Sequence, residues 1–505
     1  MKRLILLHLL WLGLTLPVLG QGFLLPGGIE VSGNTYLEFA LSDTSKSRFT
    51  ESWTDLFLTR GNFRAGFRLG VHEPPVSFAS QNSVSGLEHR FLEYRKGGFL
   101  ARVGNFYSLF GRGLILRSFE NRTLRWDGNI DGVKLEYRHR YADGQLIYGQ
   151  PRKSRLSPQE IDRKDPRPGG ERLPALTGGE LKLKPDRRVG LGGAYLYSDS
   201  LENIKDGVHR WSVFSELNFD YANIYGEYAG VDGAGGNTNT VEGGRGLYFS
   251  ANLFLGDFTL LGEYRQYDSL AFDGGLTNNP PTVIQEHLYT LLNRRQLIQN
   301  SDNEEGYLLQ LGYPVAEHGV ATVSYSRTES LQGRKVYEDF TALYEAADIL
   351  GAEWVWGFAR QQDLEGRYLN FLASTSFAVS HYRSLKMIFE HQHARVSEIP
   401  GFITQRQHYD QLLTLELGLS SRLAFSFLGE HSTDQFADEA ELNDDLTSRK
   451  KHHFWAGGQL NAALFNRIDL AVFGGTRRKG KVCIGGVCVV KPELEGLEVS
   501  LTARL

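Results

Sequence analysis

The sequence has little cysteine, little methionine and little net charge. Its 505 residues include two Cys and two Met, and the formal net charge at pH 7 is -4. This small net charge gives no electrostatic argument for nucleic-acid binding, so we expect no nucleic-acid partner. After residue 20 no apolar run is long enough for a membrane-spanning helix. The mean hydropathy of -0.31 still permits a transmembrane barrel, because the polar lumen of a barrel dilutes the average.

The N-terminal residues predict export from the cytoplasm. Lys2 and Arg3 precede an apolar run that ends at small residues. This pattern is typical of a secretory signal peptide, here residues 1–20. A membrane anchor is the alternative interpretation, but the run is short for a bilayer about 30 Å thick. We expect residues 21–32 to form a short periplasmic segment and residues 33–505 to form the folded domain.

The hydrophobic pattern of the remaining chain repeats every two residues. In residues 63–71, five apolar side chains alternate with Arg or Gly: Phe63, Ala65, Phe67, Leu69 and Val71. In residues 413–419, leucines occupy every second position. A helix would distribute these residues around its circumference, so the period predicts strands with one apolar face.

The connections between these segments alternate in length. Short ones such as 60–62 and 256–257 separate long polar ones such as 107–129 and 268–305. This asymmetry is typical of outer-membrane barrels, which have short periplasmic turns and long external loops. The pattern predicts an all-β fold, a single transmembrane antiparallel up-and-down barrel of about 24 strands with a range of about 20–26. We expect some of the long loops to fold into the lumen.

Three segments of the chain resemble those of a protein family. They are GNFYSLFGRGLILRSFENRTLRWDGNIDGVKLEY (104–137), PPTVIQEHLYTLLNRRQLIQNSDNEEGY (280–307) and CIGGVCVVKPELEGLEVSL (483–501). Together they resemble an outer-membrane β-barrel family of unknown function from Bacteroidota-type bacteria. The resemblance implies an outer-membrane barrel, and it implies no substrate, cofactor or catalytic residue.

The last segment of the sequence has the pattern of a final barrel strand. Apolar residues alternate with polar ones, and the characteristic positions are Gly496, Val499, Leu501 and Leu505. The segment resembles the C-terminal strand that the outer-membrane insertion machinery recognises, with Leu505 where many such proteins carry Phe or Trp. We therefore expect the insertion machinery and periplasmic chaperones as partners during biogenesis, and outer-membrane lipid around the barrel.

The segment 107–129 mixes aromatic and charged residues and is predicted to fold into the lumen. Its candidate lumen or constriction residues are Arg112, Arg117, Glu120, Arg122, Arg125, Asp127 and, just beyond it, Asp131. As a gate, its arginines would select anionic or sugar-like solutes, as charged rings do in other pores. As a fixed plug, the same arginines would be paired with carboxylates of the wall. A wide barrel needs filling in either case, and both interpretations stay open.

The segment 268–305 begins with turn-forming residues and continues with apolar residues at near-helical spacing. These apolar residues are Val283, Ile284, Leu288, Leu291 and Leu292, and they predict a short helix that packs against or into the barrel mouth. The candidate residues of this lid or plug loop are Glu286, His287, Tyr289, Asn293, Arg294 and Arg295. A ligand-recruiting external lid is the alternative interpretation.

Both cysteines, Cys483 and Cys488, lie in the segment VCIGGVC. In an oxidising compartment a cysteine pair favours a disulfide. If Gly485 and Gly486 form a two-residue turn, the cysteines face each other with Cα atoms about 4.5 Å apart, which a disulfide accepts. Zinc would need further Cys or His, and none lies between residues 454 and 505. We predict a disulfide that stiffens the tip of the last external loop.

Other candidate sites are weak. His391 and His393 share one strand face and could bind a metal, but an aromatic girdle at a membrane interface explains them as well. The acidic run 434–445 lacks the spacing of a calcium loop. We therefore expect no metal, no cofactor and no catalytic residue.

The favoured function is a porin-like or gated channel for small polar solutes in the outer membrane of a Gram-negative bacterium, and not an enzyme. A non-transporting scaffold for surface or secretion machinery is the alternative, and it would bring an unknown surface or periplasmic protein partner. An outer-membrane hydrolase is a further alternative, although the chain has no G-x-S-x-G motif.

Overall fold

The structure is a computed structural model, and it describes most of the chain. The described residues are 23–42, 47–73, 84–122, 126–151, 174–199, 207–232, 243–270, 278–294, 303–315, 318–397, 405–434, 453–465, 467–484 and 487–504. The predicted signal peptide, residues 1–20, lies outside these ranges. Within them, no helix has the length and apolar character required to cross a membrane.

Long antiparallel strands form one closed barrel. The first twelve are β1 (Ile29–Ser42), β2 (Ser47–Arg60), β3 (Phe63–Glu73), β4 (Val84–Lys96), β5 (Phe99–Phe106), β6 (Ile130–Arg138), β7 (Ala142–Pro151), β8 (Leu176–Asp186), β9 (Val189–Ser198), β10 (Val208–Phe219), β11 (Ala222–Asp232) and β12 (Gly244–Leu255). The second twelve are β13 (Phe258–Asp268), β14 (Asn303–Val315), β15 (Gly319–Glu329), β16 (Lys335–Ile349), β17 (Ala352–Gln362), β18 (Gly366–Ser380), β19 (Arg383–Ser397), β20 (Gln405–Ser420), β21 (Leu423–Ser432), β22 (His453–Leu464), β23 (Ile468–Arg477) and β24 (Leu494–Arg504).

The barrel closes where its first and last strands pair. Asn34 of β1 lies opposite Arg504 of β24, and Ser42 lies opposite Gly496. Three residues of the predicted C-terminal strand, Gly496, Val499 and Leu501, lie in β24, and Leu505 is outside the described residues. The predicted all-β barrel of about 24 strands is confirmed.

The two ends of the barrel differ in their connections. At one end, called here the turn end, two or three residues join neighbouring strands, as at 61–62 and 97–98. Gly61 and Gly97 have φ angles of 56° and 57° there, a left-handed conformation that glycine adopts without steric cost. At the other end, called here the loop end, the connections include 107–129 and 269–302. Short and long connections alternate as the sequence predicts.

The outward face of the barrel is apolar between two belts of aromatic side chains. Exposed aromatic residues near the turn end include Phe63, Phe99, Tyr137, Tyr221, Phe258, Tyr313 and Trp356. Those nearer the loop end include Tyr148, Tyr195, Trp211, Tyr228, Phe340, Phe371, Phe389 and Tyr409. Exposed aliphatic residues such as Leu146, Leu181 and Leu413 lie between the belts. Aromatic girdles that flank an apolar band are the pattern of transmembrane barrels.

The inward face differs between the two halves of the barrel. In β18, the inward residues Tyr368, Asn370 and Leu372 near the loop end are buried, whereas Ser376 nearer the turn end is partly exposed. In β12, Tyr248 is buried near the loop end in the same way. Inward side chains are therefore covered mainly in the half of the lumen that adjoins the loop end.

A separate hairpin extends the connection between β23 and β24. Its strands, Gly480–Ile484 and Val487–Lys491, place Cys483 directly opposite Cys488 in the backbone register. The two turn residues between these strands lie outside the described residues. The register is the one that the sequence predicts, and the disulfide itself stays a prediction.

Candidate functional site

The first lumen loop, residues 107–129, packs on the inner wall through an apolar core. Phe110, Leu114, Ile115 and Leu116 are fully buried. They belong to a cluster with inward side chains of five consecutive strands, β9 to β13: Leu196, Phe214, Tyr225, Tyr248 and Tyr267. Burial of these side chains stabilises the loop inside the barrel, and each large aliphatic or aromatic side chain contributes about 1.5–3 kcal/mol. Loops folded into the lumen are thus part of the fold, as the sequence predicts.

Charged wall side chains bond to the main chain of this loop. The amide of Arg112 donates to Glu227 Oε2 of β11 over 2.7 Å. Arg210 of β10 is fully buried, and it donates to the carbonyl oxygen of Ile115 at 3.1 Å and to Ser198 at 2.8 Å. Because a buried peptide group without a partner is costly, these bonds fix the path of the loop as well as its depth.

The predicted constriction arginines lie in different surroundings. Arg112 has an exposed side chain whose guanidinium carbon lies 4.9 Å from the ring centre of Tyr225. Arg117 is half-buried and donates to the carbonyl oxygen of Asn279 at 3.3 Å. Burial lowers the pKa of Arg117 below its usual range. Arg117 therefore contacts the second of the two long loops that enter the lumen, and Arg112 lies beside an aromatic side chain of the wall.

Arg122 and Glu120 pair with the wall. Arg122 Nη2 lies 2.9 Å from Asp55 Oδ2 of β2, and Arg122 Nε lies 2.8 Å from Glu120 Oε1. Arg68 of β3 completes the cluster, at 2.6 Å from Asp55 and 2.7 Å from Glu120. This network of two cations and two carboxylates has the arrangement that a fixed plug requires.

Asp127 anchors the end of the first lumen loop. Its carboxylate lies 2.7 Å from His89 Nε2, accepts a 2.9 Å hydrogen bond from the Tyr107 hydroxyl and accepts a 3.2 Å bond from Asn129 Nδ2. Burial acts to raise the pKa of Asp127, but the bonds from His89, Tyr107 and Asn129 hold that pKa below its usual range. The carboxylate is therefore ionised at neutral pH.

Two of the predicted residues are not part of this arrangement. Asp131 follows Ile130 in β6, alternates to the outward face and lies 3.8 Å from Arg90. Arg125 lies outside the described residues.

The second lumen loop, residues 278–294, is held by carboxylates of the opposite wall. His287 Nε2 lies 2.7 Å from Asp339 Oδ2 of β16. The amides of Thr290 and Leu291 donate to the two oxygens of Glu390 of β19, at 3.1 Å and 2.7 Å. All five residues are buried. A carboxylate that accepts two main-chain bonds in a dry site fixes the loop in one orientation.

Arg294 ends the described part of this loop and pairs with a third carboxylate. Both its terminal nitrogens bond to Glu430 of β21, Nη2 at 2.9 Å, in a bidentate pair. Burial acts to lower the pKa of Arg294, and the charge of Glu430 raises that pKa above its usual range. The neighbouring Arg295 lies outside the described residues.

The predicted helix in this loop is much shorter than expected. It is a single 3-10 turn, Leu291–Asn293, within the described residues. The reason is that other partners take the main-chain groups a helix would use. The amide of His287 donates to Asn293 Oδ1 at 2.9 Å, and Gln361 and Gln392 of the wall donate to the carbonyl oxygens of Leu292 and Leu291.

The remaining predicted residues of the second lumen loop are exposed or partly buried. Glu286 is exposed, and Leu288 is 67% exposed. Burial, together with the charges of Glu345 and Glu390, raises the pKa of Tyr289 to about 12.

The two lumen loops contact each other, and the hairpin continues the layer. Asn278 Nδ2 donates to the carbonyl oxygen of Leu114 at 3.4 Å. At the base of the hairpin, Arg478 lies 3.2 Å from Glu430, and Lys491 lies 2.6 Å from Glu38 of β1. The first loop reaches wall strands from β2 to β13, the second from β13 to β21, and the hairpin reaches β1 and β24. Together the three segments line the inner wall around most of its circumference.

Sequence reasoning missed the wall residues that hold the loops. They are Asp55, Arg68, Glu180, Arg210, Glu227, Asp339, Glu390 and Glu430. Each occupies an inward position of a strand, so the two-residue period marks it as a lumen residue. The period does not identify the loop that a given position meets, because the contacts join residues up to 136 positions apart.

No metal centre is evident in the part of the chain that the structure describes. Within it, no group of three or more His, Cys, Asp or Glu side chains is arranged to hold a metal ion. His391 and His393 face outward and stack on the ring of Tyr409, with ring centres 5.7 Å and 4.8 Å away. They contribute to the aromatic belt near the loop end.

A family model matches nearly the whole chain. It is described as a family of unknown function (DUF6029), and the match covers residues 1–337 and 364–505. The chain belongs to this family. No curated protein matches the sequence.

Several solved structures of large barrels are similar to this one. The Escherichia coli P pilus tip assembly intermediate PapC-PapD-PapK-PapG has a chain with a TM-score of 0.53 and 10% identity, and the match covers 96% of this chain and 61% of that chain. The Pseudomonas aeruginosa protein OccK5 (OpdH) has a TM-score of 0.38 and 12% identity over 96% of this chain and 99% of its own. The Pseudomonas aeruginosa siderophore receptor PirA has a TM-score of 0.46 and 9% identity over 94% of this chain and 80% of its own. At these identities the likeness concerns the fold alone.

Proposed function

We propose that this member of the family of unknown function DUF6029 is an outer-membrane channel for small polar solutes that its two lumen loops narrow near the loop end. The observation that carries the proposal is the anchoring of both loops on the inner wall of a closed barrel. Strands about 4.8 Å apart and tilted by about 40° would make a barrel of 24 strands roughly 48 Å wide. Without an inner layer, such a lumen would admit large molecules.

The outward face supports the membrane placement. Its apolar band between two aromatic belts suits a bilayer, and the short-turn end would face the periplasm. Residues 1–20 would direct export as a signal peptide. Residues 21–32 would lie at the periplasmic end of the barrel, and the last four of them begin β1. The long connections at the loop end would then face the cell exterior.

One part of the wall near the turn end, from β3 to β10, supports a preference for anionic or polar solutes. Inward cations of β3 to β8 outnumber the inward carboxylates of β4 to β10 in this region. The cations are Arg64, Arg95, Arg102, Lys134, Arg138, Lys182 and Lys184, and the carboxylates are Glu93, Glu136, Asp143 and Glu216. Arg95 and Arg138 are the most exposed, with 66% and 75% of their side chains accessible. Lumen charges of one sign favour solutes of the other sign.

Solute flux into liposomes tests this function. We expect the purified protein to admit small sugars and small carboxylates, to exclude a large polymer, and to give a reversal potential that favours anions in a KCl gradient. The variant Arg95→Gln/Arg138→Gln should weaken the anion preference. Lys96→Gln, which alters an outward residue beside Arg95, is the matched control. Liposomes that remain impermeable to small sugars would contradict a channel.

A further inference from the structure

Three arginines on the outward face near the loop end form a compact cationic patch. Arg367 of β18 lies directly opposite Arg395 of β19 in the strand register. Arg360 of β17 is a diagonal neighbour of Arg367. It lies opposite Leu369, and Gln362, two residues further along β17, lies opposite Arg367. All three side chains are exposed. Gln407 of β20 extends the row beside Arg395.

The outward orientation of this patch follows from strand alternation. Gln361, Asn370 and Gln392 point inward, since they bond to the second lumen loop or to one another. Arg360, Arg367 and Arg395 each lie an odd number of residues from these inward positions on the same strand, so their side chains lie on the outer face. Directly below them are members of the aromatic belt, including Phe371 and Tyr409.

Two arginines of the patch, Arg367 and Arg395, differ from other outward arginines at this end in their salt bridges. Arg245 lies 3.7 Å from Asp268, and Arg327 is paired with Glu329. Glu338 of β16 lies opposite Gln362, and its charge interacts with Arg360. Among the described residues, no salt bridge joins a carboxylate to Arg367 or Arg395. Like charges placed directly opposite each other on neighbouring strands destabilise a sheet, so an anion bound between Arg367 and Arg395 would stabilise this part of the barrel.

We propose that this patch binds the phosphorylated headgroup of an anionic glycolipid in the outer leaflet of the membrane. The Cβ atoms of two directly opposite residues lie about 5 Å apart, so the guanidinium groups of Arg367 and Arg395 can share one phosphate through charge-assisted, bidentate hydrogen bonds. The glutamines at both ends of the row suit the hydroxyl groups of a sugar. The aromatic belt below the patch suits the acyl chains. The proposal rests on the membrane placement proposed above and does not depend on channel activity.

Native mass spectrometry of the full-length purified protein tests the proposal. The probes are a glucosamine-based lipid A with its phosphates and the same lipid after enzymatic removal of the phosphates. We expect the wild-type protein to retain the phosphorylated lipid, and the variant Arg367→Gln/Arg395→Gln to bind it about tenfold more weakly or worse. The matched control is Arg245→Gln/Arg327→Gln, which removes two outward arginines that have carboxylate partners and should retain the lipid. Circular dichroism checks that each variant keeps its strand content.

Several outcomes would overturn the proposal. Equal retention of the dephosphorylated lipid would mean that phosphate is not recognised. Equal loss in both double variants would mean that general positive charge, and not this patch, attracts the lipid. Displacement of the lipid by millimolar inorganic phosphate would assign the site to free phosphate. Channel flux measured on the same variants separates failure of this proposal from failure of the proposed function, since Arg367 and Arg395 lie outside the lumen.

Discussion

The first lumen loop buries Phe110, Leu114, Ile115 and Leu116 in an apolar cluster on β9 to β13, whereas the second lumen loop is fixed by Asp339, Glu390 and Glu430 on β16 to β21. Leu291 and Leu292 of the second loop are buried too, but the bonds that orient this loop are charged. Both loops bond to charged wall side chains, but they contact different parts of the wall, and the fully buried apolar cluster belongs to the first loop.

Because their main anchors differ, the two loops should respond differently to changes in conditions or sequence. Apolar burial is non-directional and depends little on pH or salt, so the first loop is suited to be a permanent lining. Charge-assisted bonds are directional, so the second loop can be released by the loss of a single carboxylate oxygen. If one of the loops gates the channel, we expect the second lumen loop to be the gate.

Removing a buried apolar side chain of the first lumen loop should have the largest effect on loop docking. Phe110→Ala should destabilise the docked state of the first lumen loop by about 3–5 kcal/mol, because it removes a fully buried aromatic side chain. Hydrogen exchange of the amides in 107–122 should accelerate accordingly. Leu109→Ala is the matched control, since the adjacent Leu109 is 45% exposed and its loss should leave exchange nearly unchanged. Equal acceleration in both variants would show that the apolar cluster does not hold the loop.

Replacing a carboxylate that binds the second lumen loop should have a smaller effect on loop docking. Glu390→Gln replaces the carboxylate that accepts bonds from Thr290 and Leu291 with an amide that has one acceptor oxygen. Docking of the second lumen loop should weaken by about 1.5–3 kcal/mol, measured by hydrogen exchange of the amides in 286–294. Glu353→Gln, an exposed position of β17 near the turn end, serves as the control. Unchanged exchange in Glu390→Gln would place the anchoring elsewhere.

Acid should affect two parts of the first lumen loop differently. The pKa of Asp127 is depressed in the folded protein, so its contribution is present above the ordinary Asp pKa of about 4 and is lost as the pH falls through the lower folded value. We expect exchange at 126–129 to accelerate in acid, below about pH 4, while the apolar segment 110–116 stays protected. Asp127→Asn should abolish this pH response and cost about 1 kcal/mol at neutral pH. Acceleration of both segments together at the same pH would contradict the division.

The smallest effect concerns the hairpin that completes the layer. A bond between Cys483 and Cys488 would close a very short loop, so its reduction should change global stability little. Mass spectrometry with and without reductant should show the gain of two hydrogens. A mass that does not change on reduction would refute the disulfide.

The barrel could be predicted from the sequence because the hydrophobic pattern of its wall strands repeats every two residues. The alternation in 63–71 and 413–419 fixes which side chains face outward, and the alternating lengths of the connections fix the two ends. These are local properties, and each strand repeats them. The strand count and the closed architecture follow from them.

The arrangement of the loops in the lumen could be predicted only in part, because the contacts that fix it join residues far apart in the sequence. Aromatic residues in 107–129 predict that the loop enters the lumen, but nothing near Phe110 indicates that Tyr248 and Tyr267 receive it. In the second loop the apolar spacing predicts a helix, yet Glu390 and Gln361 take the main-chain groups and leave one 3-10 turn. Main-chain bonds to distant side chains have no periodic trace in a sequence.

Single-channel conductance in planar bilayers tests the central claim that the lumen loops narrow a conducting barrel. Deletion of 108–126 should raise the conductance sharply, because it removes most of the lining from β2 to β13. The substitution Leu109→Ala, at an exposed position of the same loop, should leave the conductance nearly unchanged. Equal conductance of the 108–126 deletion and the wild-type protein, with both folded, would contradict the claim.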